Sequence, residues 1–294
     1  MLAKKHKLKF QTEKSRKASQ TKRFFLGFLL IVVVFGSISA LYFLKSINFD
    51  VSTFFGNAND DTTTQDEQET TPFKLYETKY FLVYCTDSTA DDLYFTAIVK
   101  ADLNKHSFTV CTLSQNERVT VAQTNASLIE HYKSAGAIRL VQAIEELAGI
   151  EIDRYIGSTE SNFKKAINEM GSLAVTIDKR IDFKNEDFML SLIEGEQGLK
   201  GDTLLKYLRY FSLSGDNGLD GQANIFCLML EQYISPKNVK NGESLFGKLI
   251  NYVDSNISIL DYTNSTEYLE IISDGPINLS CFAVGHLNEL NSND

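Results

Sequence analysis

The sequence predicts an α/β fold, in which helices cover a sheet outside a membrane, preceded by one transmembrane helix. Two observations predict it. From about residue 75 onward, apolar patterns with the period of a strand alternate with patterns that have the helical period. Residues 24–44, FFLGFLLIVVVFGSISALYFL, contain no charged side chain over 21 positions. As a helix this segment is about 31 Å long, which is the thickness of a bilayer core.

The charges on either side of the span predict its topology. Residues 1–23 carry nine Lys or Arg side chains and one acidic side chain. By the positive-inside rule this basic tail is cytoplasmic and the rest of the chain is extracellular. A cleaved signal peptide is the alternative, but its apolar region would be only about 7–15 residues long. Beyond residue 44 the net charge is −17, so we expect no nucleic acid partner.

A linker separates the span from the folded part. Residues 45–74 include the acidic stretch GNANDDTTTQDEQETTP, which has almost no apolar side chain and cannot offset the entropy of ordering. We therefore expect an acidic disordered linker at residues 45–74 and one extracellular domain at residues 75–294.

The strands are predicted from β-branched and aromatic runs bounded by turn residues. The first three, separated by short polar stretches, predict a sheet that contains a β-hairpin. Isoleucines at alternate positions predict a strand over 150–156, and Leu173, Val175 and Ile177 predict the next. In chain order the predicted strands are Lys79–Cys85, Thr96–Lys100, Ser107–Leu113, 150–156, Leu173–Ile177, Glu267–Ile272 and Leu279–Val284.

The helices are predicted from apolar residues three or four positions apart. AIRLVQAIEELAG places such residues at 138, 141, 144 and 148, and Gly149 is positioned to end that helix. Phe163, Ile167 and Met170 define a second apolar helix face that ends at Gly171. Two more helices are predicted at Asp202–Phe211 and Gln222–Tyr233.

The four cysteines, Cys85, Cys111, Cys227 and Cys281, show no C-x-x-C spacing, so a zinc site has little support. Outside a membrane they allow up to two disulfides. We favour the alternative that they are buried small apolar residues, because each lies in an apolar run. No G-x-S-x-G, phosphate-binding glycine loop or H-x-x-x-H pair occurs in the chain.

Three stretches of the chain are similar to the patterns of one known family. GAIRLVQAIEELAGIEIDRYI (136–156) is similar to a helix and strand that end in TGI-x-IDHY. FKKAINEMGSLAVTID (163–178) is similar to LVDALGGVxVxVP. IEGEQGLKGDTLLKYLRYF (193–211) is similar to GxQxLnGxxALxYxRxR. Together they resemble the LytR-CpsA-Psr family of bacterial envelope proteins. The resemblance covers about residues 79–235, and it implies a three-layer α/β/α domain with a mixed central sheet.

The resemblance also implies an activity. Family members are understood to move a phosphoglycan from a polyprenyl-pyrophosphate carrier onto the cell wall, usually with Mg²⁺. A pyrophosphate in a water-poor cleft requires arginines and a metal to spread its charge. The family takes these groups from an aspartate near the start of the second strand, an arginine in an S-x-P-R-D turn, the arginines of Y-x-R-x-R, and the arginines of a following G-R-x-x-R-Q.

Carried over position by position, most of those arginines are absent from this chain. The S-x-P-R-D turn corresponds to residues 112–116, where Gln115 and Asn116 replace the arginine and the acid. Y-x-R-x-R corresponds to residues 207–211, which keep Tyr207 and Arg209. G-R-x-x-R-Q corresponds to residues 218–223, and the second arginine position is Gln222. Each missing guanidinium forfeits about 1.5–3 kcal/mol of charge-assisted hydrogen bonding.

The residues that remain define the candidate site. The resemblance implies that Arg209 and Asp92 are catalytic, and that Arg118, Gln115, Asn116, Tyr207 and Gln222 contact the substrate. Asp87, Asp91 and Asp92 in TDSTADD are candidate Mg²⁺ ligands. The alternatives are that Arg209 and Lys206 lie on the solvated side of a helix, that Arg118 simply ends a strand, and that TDSTADD is an ordinary acidic loop.

The apolar run from Ile225 to Leu230 has two interpretations. The resemblance implies a tunnel for an isoprenoid chain, lined by Ile225, Phe226, Leu228, Met229 and Leu230; the alternative is ordinary core. We therefore expect a membrane-anchored envelope protein of a Gram-positive-type bacterium that acts on a polyprenyl-phosphate carrier or a wall glycopolymer, with impaired or absent catalysis. A non-enzymatic module that binds lipid carrier, wall polymer or protein is the alternative. A Golgi-type glycosyltransferase is disfavoured because the chain lacks a D-x-D motif.

Overall fold

The computed structural model of the 294-residue chain describes residues 78–102, 104–214, 216–283, 287 and 290. The predicted tail (1–23), transmembrane helix (24–44) and linker (45–74) lie outside the described residues. Within the described part, no helix is both long enough and apolar enough to cross a membrane.

Six of the strands form the central sheet, in the order β11-β6-β1-β2-β3-β12. The strands are β1 (Thr78–Thr86), β2 (Leu93–Asp102), β3 (Ser107–Leu113), β4 (Arg118–Val121), β5 (Thr124–Ser127), β6 (Arg154–Thr159), β7 (Leu173–Ile177), β8 (Ile181–Lys184), β9 (Met189–Leu192), β10 (Gly195–Leu199), β11 (Asp254–Ser255) and β12 (Asn278–Ala283). The sheet is mixed: β1, β2 and β3 pair antiparallel, β6 runs parallel to β1, β12 runs parallel to β3, and β11 runs antiparallel to β6. Three two-stranded ribbons, β4-β5, β7-β10 and β8-β9, lie outside it.

The helices are α1 (Leu128–Ala148), α2 (Glu160–Met170), α3 (Gly201–Ser212), α4 (Asp216–Tyr233), α5 (Pro236–Lys240), α6 (Gly242–Leu249) and α7 (Ile259–Ser273). Helix α1 begins at a capping box, in which Ser127 and Glu130 each accept from the other's backbone N–H. It ends at Gly149 with φ of 66°, as the sequence predicts. The φ of Gly136 is 64°, so α1 is kinked there.

Alternation along the strands divides the core between the two faces of the sheet. On one face, Phe95 and Ala97 of β2 contact the apolar sides of α2, α3 and α4. On the other, Leu82 of β1 and Ile98 of β2 pack beneath α1. The domain is therefore a mixed sheet with helices on both faces, which confirms the predicted α/β class.

One predicted strand is wrong. Residues Glu267–Ile272 lie within α7, not in a strand. The helix begins at a capping box between Ser258 and Asp261, and its two buried side chains, Tyr268 and Ile272, are four positions apart on one face. The strand predicted over 150–156 begins later than expected. Its observed counterpart, β6, begins at Arg154, so residues 150–153 lie before the strand. The ribbons β4-β5 and β8-β9 had no counterpart in the prediction.

The cysteines divide into two classes, which corrects the expectation that all four are buried free residues. Cys227 of α4 and Cys281 of β12 form a disulfide that joins positions 54 residues apart. Cys85 and Cys111 are free and buried. Burial raises the pKa of the Cys85 thiol to about 12, so it stays protonated and unreactive near neutral pH.

An ion pair between β6 and α7 predicts a specific acid sensitivity. Arg154 Nη2 lies 2.5 Å from Asp261 Oδ1. Burial alone would raise the pKa of Asp261, but hydrogen bonds from Arg154 and Ser258 lower it to about 2 from an ordinary value of 3.8. The stabilisation from this carboxylate is therefore complete above the unfolded pKa of 3.8 and is lost as the pH falls through about 2.

We expect Asp261→Asn to lower the free energy of unfolding at neutral pH by about 1–2 kcal/mol, after allowance for partial solvent screening. The difference from the parent protein should shrink as the pH approaches 2, as measured by urea unfolding at several pH values. Asp182→Asn is the control, because Asp182 forms an exposed ion pair with Arg180. A deficit in Asp261→Asn that does not depend on pH would contradict this account.

Candidate functional site

Arg209 lies on the last turn of α3 and packs against aromatic rings. Its guanidinium carbon is 4.0 Å from the ring centroid of Tyr94 and 4.6 Å from that of Phe188. Nη2 lies 3.4 Å from Asp187, and only 14% of the side chain is exposed. The alternative that Arg209 occupies a solvated helix face is therefore wrong. Stacking covers the faces of a guanidinium but leaves its in-plane N–H donors available to an anion.

A line of polar side chains continues from Tyr94 between α2 and α3. The Tyr94 hydroxyl donates to Glu160 at 3.3 Å, and Glu160 accepts from Lys164 at 2.6 Å. Asp202 lies 2.8 Å from Lys164 and 2.7 Å from Lys206. Burial raises the pKa of Tyr94 to about 12; the positive charge of Arg209 opposes this shift and the carboxylate of Glu160 adds to it. Tyr94 therefore stays a neutral hydrogen-bond donor near Arg209.

The TDSTADD loop is organised by Asp87. This carboxylate accepts from the hydroxyl and N–H of Thr89 and from the N–H groups of Asp91 and Asp92. Burial opposes the shift, but hydrogen bonds from the loop lower the pKa of Asp87. Asp91 forms an ion pair with Lys133 at 3.1 Å, and Asp92 is exposed.

The three aspartates do not fit a metal site as the structure places them. Across the described ranges, no three His, Cys, Asp or Glu side chains are arranged to hold a metal ion. The oxygens of Asp87 accept hydrogen bonds from their own loop, and Asp91 is neutralised by Lys133. The Mg²⁺ site at Asp87, Asp91 and Asp92 stays a prediction from the resemblance, and we derive no chemical step through it.

Gln115 joins the loop to the end of β3. Its Oε1 accepts from the N–H of Leu93 at 2.9 Å, and its Nε2 donates to Asp92 at 3.4 Å. The next residue, Asn116, is exposed, and its backbone N–H donates to Ser114. Gln115 and Asp92 are thus brought together, as expected for one site, but the contact is an amide–carboxylate hydrogen bond between neighbouring turns.

Arg118 is bound to a different part of the domain. Its guanidinium donates to Asn125 Oδ1 at 3.1 Å and to the Asn125 carbonyl at 3.0 Å, across the β4-β5 ribbon. Nη1 also lies 3.4 Å from Glu130 at the start of α1. These contacts hold the ribbon against α1, so Arg118 has a structural function here. Its predicted contact with substrate stays a prediction.

Two further arginine positions of the family pattern are occupied by apolar side chains that pack against neighbouring elements. Phe211 packs on α4, where a Cβ on Gly221 would lie 2.3 Å from its ring and one on Gly218 1.9 Å from its carbonyl oxygen. Leu219 is buried, and its carbonyl accepts from the Thr112 hydroxyl at 2.7 Å. The end of β3 and the start of α4 are therefore in direct contact.

Gln222 is fully buried beneath α3. Its Nε2 donates to the carbonyls of Leu208 at 2.8 Å and Tyr94 at 3.1 Å. Its Oε1 accepts no hydrogen bond from any described residue. Gln222 thus connects α4, α3 and β2 in the interior, so it has a structural function close to the backbone that carries Arg209.

Tyr207 lies on the side of α3 opposite Arg209. It lines a groove of about 630 Å³ between β7, α3 and α4. We call this the β7–α4 groove; its lining residues are Ala174, Val175, Thr176, Asp178, Glu196, Tyr207, Phe211, Gly221, Asn224, Ile225, Leu228 and Gln232. Of the five residues proposed to line an isoprenoid tunnel, Ile225 and Leu228 line this groove. Phe226 packs edge-to-face on Phe95 at 5.1 Å in the core.

The aromatic pair around Arg209 was not predicted. Phe188 lies in a polar stretch, KNEDFML, that matches no motif. Because Phe188 is far from Arg209 in the sequence, local spacing could not predict their contact. Glu160 was also missed, although its position at the start of α2 is typical of acidic residues in a first helical turn. No pattern within either segment indicates that Phe188 contacts Arg209 or that Glu160 accepts from Tyr94.

Comparison with known proteins supports the resemblance seen in the sequence. The model of the LytR_cpsA_psr family matches residues 94–285. The chain belongs to the LytR_cpsA_psr family. A relative named polyisoprenyl-teichoic acid–peptidoglycan teichoic acid transferase TagV, from Bacillus subtilis (strain 168), is 25% identical over 174 residues. That match covers 56% of this chain and 44% of TagV, so it spans less than half of the relative's length.

Solved structures of LytR_cpsA_psr relatives share the fold. The crystal structure of B. subtilis TagV is 20% identical, with a TM-score of 0.58 over 73% of this chain and 94% of TagV's resolved chain. TagT bound to LIIa-WTA is 14% identical, with a TM-score of 0.54 over 77% of this chain and 85% of that chain. At these identities the likeness establishes the mixed α/β fold. It does not extend to the residues of the site.

Proposed function

We propose that this chain is a membrane-anchored envelope protein that acts in attaching polyprenyl-linked glycopolymers to the cell wall, with a transfer rate far below that of its relatives. Membership of the LytR_cpsA_psr family supports the first part, and the polyisoprenyl-teichoic acid for which the relative TagV is named supports the substrate class. The observation that carries the second part is the set of side chains at four arginine positions of the family pattern. They are Gln115, Phe211, Leu219 and Gln222.

The expected loss of rate follows from the charge of the substrate. Splitting a pyrophosphate develops negative charge that arginine forks stabilise. Four lost contacts at about 1.5 kcal/mol each weaken the transition state by about 6 kcal/mol, or about 10⁴-fold in rate. The extracellular part is strongly acidic, which adds to the cost of holding a polyanion.

Arg209 supports retained binding of one phosphate group. The planar faces of its guanidinium lie on the rings of Tyr94 and Phe188. Asp187, 3.4 Å from Nη2, competes only weakly with a phosphate for the in-plane N–H donors. The one O–H of Tyr94 donates to Glu160, so the ring of Tyr94 contributes by fixing the guanidinium and not by donating to the ligand. A single fixed guanidinium can hold one phosphate of a lipid carrier without providing the charge that transfer requires.

The test is transfer of radiolabelled glycopolymer from a polyprenyl-pyrophosphate donor by the full chain in lipid vesicles, beside B. subtilis TagV. We expect donor binding and transfer at no more than about 10⁻³ of the TagV rate. Arg209→Ala should abolish binding, whereas Arg180→Ala should not. Arg180 provides a charge-matched control because its ion pair with Asp182 is exposed. Transfer equal to that of TagV would refute the reduced rate.

A non-enzymatic binding module is the second candidate. It is favoured by the hydrogen bond between the Thr112 hydroxyl and the Leu219 carbonyl, which joins the end of β3 to α4 at a position where the family pattern has an arginine. This candidate predicts binding of lipid carrier, wall polymer or a partner protein with no transfer from any donor. Binding that is unchanged by Arg209→Ala and by Mg²⁺ would favour it, and transfer that is lost in Arg209→Ala would exclude it.

A further inference from the structure

The β7–α4 groove is separate from the region around Arg209. Tyr207 and Arg209 are two positions apart on α3, which corresponds to about 200° around a helix, so they face opposite sides. One wall of the groove is the edge of β7. The other wall is a stripe of α4 formed by Asn224, Leu228 and Gln232, which are spaced four positions apart. The volume of the groove, about 630 Å³, is within the range of ligand sites, about 300–1,000 Å³.

The edge of β7 that faces this groove has an open hydrogen-bonding position. Gln232 pairs with Ala174 as a strand would, accepting from its N–H at 2.9 Å and donating to its carbonyl at 2.7 Å. The opposite edge of β7 is paired with β10, where Thr176 lies opposite Glu196. Alternate residues of a strand direct their backbone groups to the same edge, so Thr176 faces the groove like Ala174.

The backbone of Thr176 is available to another chain. The β7-β10 ribbon has two strands only, and no hydrogen bond links the groove-facing N–H or carbonyl of Thr176 to the described residues. Unpaired edges of this kind accept an added strand. The side chain of Gln232 already occupies the backbone N–H and carbonyl of Ala174. An added strand would therefore pair with β7 from Thr176 toward Asp178.

The part of the groove toward Asp178, which we call its open end, is lined by acidic and aromatic side chains. Asp178 and Glu196 both line it, are exposed, and form no ion pair with any residue that the structure describes. Tyr207 is 7% exposed, and its hydroxyl has no hydrogen-bond partner among the described side chains. Its ring lies 4.6 Å from that of Phe211, which also lines the groove. Two unpaired carboxylates beside aromatic rings favour an ammonium group.

We propose that the β7–α4 groove binds an extended peptide segment of a partner protein. The backbone of that segment pairs with β7 at Thr176, and a lysine side chain lies between Asp178 and Glu196. The open edge recognises any extended backbone, while the acidic end selects the cationic side chain. This binding is independent of glycopolymer transfer, because Arg209 lies on the other side of α3.

The test uses the full chain in detergent and a fluorescent, acetylated and amidated pentapeptide with lysine at its centre and valine and threonine on either side. We expect saturable binding by fluorescence anisotropy. Replacing the central lysine with glutamate should weaken binding by at least about 10-fold. Methylating the peptide nitrogen that pairs with Thr176 should weaken it similarly, because that change removes one donor and leaves the protein intact.

Protein variants separate the two contacts. Asp178→Asn with Glu196→Gln should remove the preference for lysine over glutamate. Thr176→Pro removes the groove-facing N–H and fixes φ, a change that edge strands tolerate, and should abolish binding. Thr176→Val keeps the N–H and should bind normally. Thermal unfolding of each variant identifies any loss of fold. If a variant does not fold, binding of the methylated peptide to the parent protein is the test of the backbone contact.

Two outcomes would overturn the proposal. One is equal binding of the lysine and glutamate peptides, or no saturable binding of either. The other is displacement of the peptide by a water-soluble isoprenyl phosphate whose own binding ignores Asp178 and Glu196, since the groove would then be a lipid site. Neither outcome depends on the rate of glycopolymer transfer, so the proposed function and this proposal can fail separately.

Discussion

Replacing Gly201 with alanine is expected to lower the free energy of unfolding by about 3 kcal/mol. Gly201 begins α3 where that helix crosses α2, and a Cβ there would lie 2.3 Å from the carbonyl oxygen of Lys164 and 2.7 Å from its Cα. Both atoms belong to backbone that cannot turn aside, so the helices must separate. Separation would also weaken the contact between Lys164 and Asp202.

Urea unfolding followed by circular dichroism measures this effect. Gly247→Ala is the matched control, because nothing lies within 4 Å of a Cβ at Gly247, inside helix α6. That change should be neutral or stabilise the protein by up to about 1 kcal/mol through helix propensity. A loss below about 1 kcal/mol for Gly201→Ala would mean that the two helices do not approach as closely as described. The same crossing explains the second glycine of the family pattern GxQxLnG.

Reducing the disulfide between Cys227 and Cys281 is expected to cost about 2–4 kcal/mol, because the bond closes a loop of 54 residues and restricts the unfolded chain. It also joins α4, which carries Gln222, to β12 at the edge of the sheet. The measurement is thermal unfolding with and without a phosphine reductant, together with Cys227→Ala/Cys281→Ala.

Thiol counting provides the control. In denaturant, the unreduced protein should present two reactive thiols, from Cys85 and Cys111, and the reduced protein four. The double variant should unfold at the same temperature with or without reductant. Four thiols in the unreduced protein, or equal stability of oxidised and reduced forms, would contradict the disulfide.

The four lost arginines have been replaced by residues that hold the fold together. Gln115 satisfies the N–H of Leu93, and Phe211 fills the space above Gly221. Gln222 donates to two interior carbonyls. Restoring an arginine at Gln222 would bury a guanidinium without an anion, which costs several kcal/mol. Gln222→Arg is therefore expected to destabilise the domain rather than to raise the transfer rate.

Much of the architecture follows from local sequence patterns. Gly149 and Gly171 end α1 and α2 where they were predicted to, since the helical period stops there and glycine ends both helices. The buried strands β1, β2 and β3 were recognisable from continuous β-branched and aromatic runs. The segment Glu267–Ile272 was misassigned because a short apolar run has no intrinsic period, and Ser258, the first residue of the capping box that starts α7, lies nine residues earlier.

The candidate site was only partly predictable. The loss of the family arginines can be read directly from residues 112–116 and 207–223, because it is a matter of which side chains are present. The environment of Arg209 could not be read in this way. Its contacts come from Tyr94 on β2 and from Phe188 beside β9, and neither neighbour is near it in sequence.

The sequence by itself determined the family, the α/β class, the helix ends and the shortage of cations, since each depends on residue identity and local spacing. Only the tertiary structure decided that Arg209 is stacked rather than solvated, that Arg118 braces a ribbon, and that Cys227 pairs with Cys281. It alone placed the open edge of β7 beside Asp178 and Glu196. These features depend on distances between segments far apart in the chain, which are fixed by the packing of the whole domain.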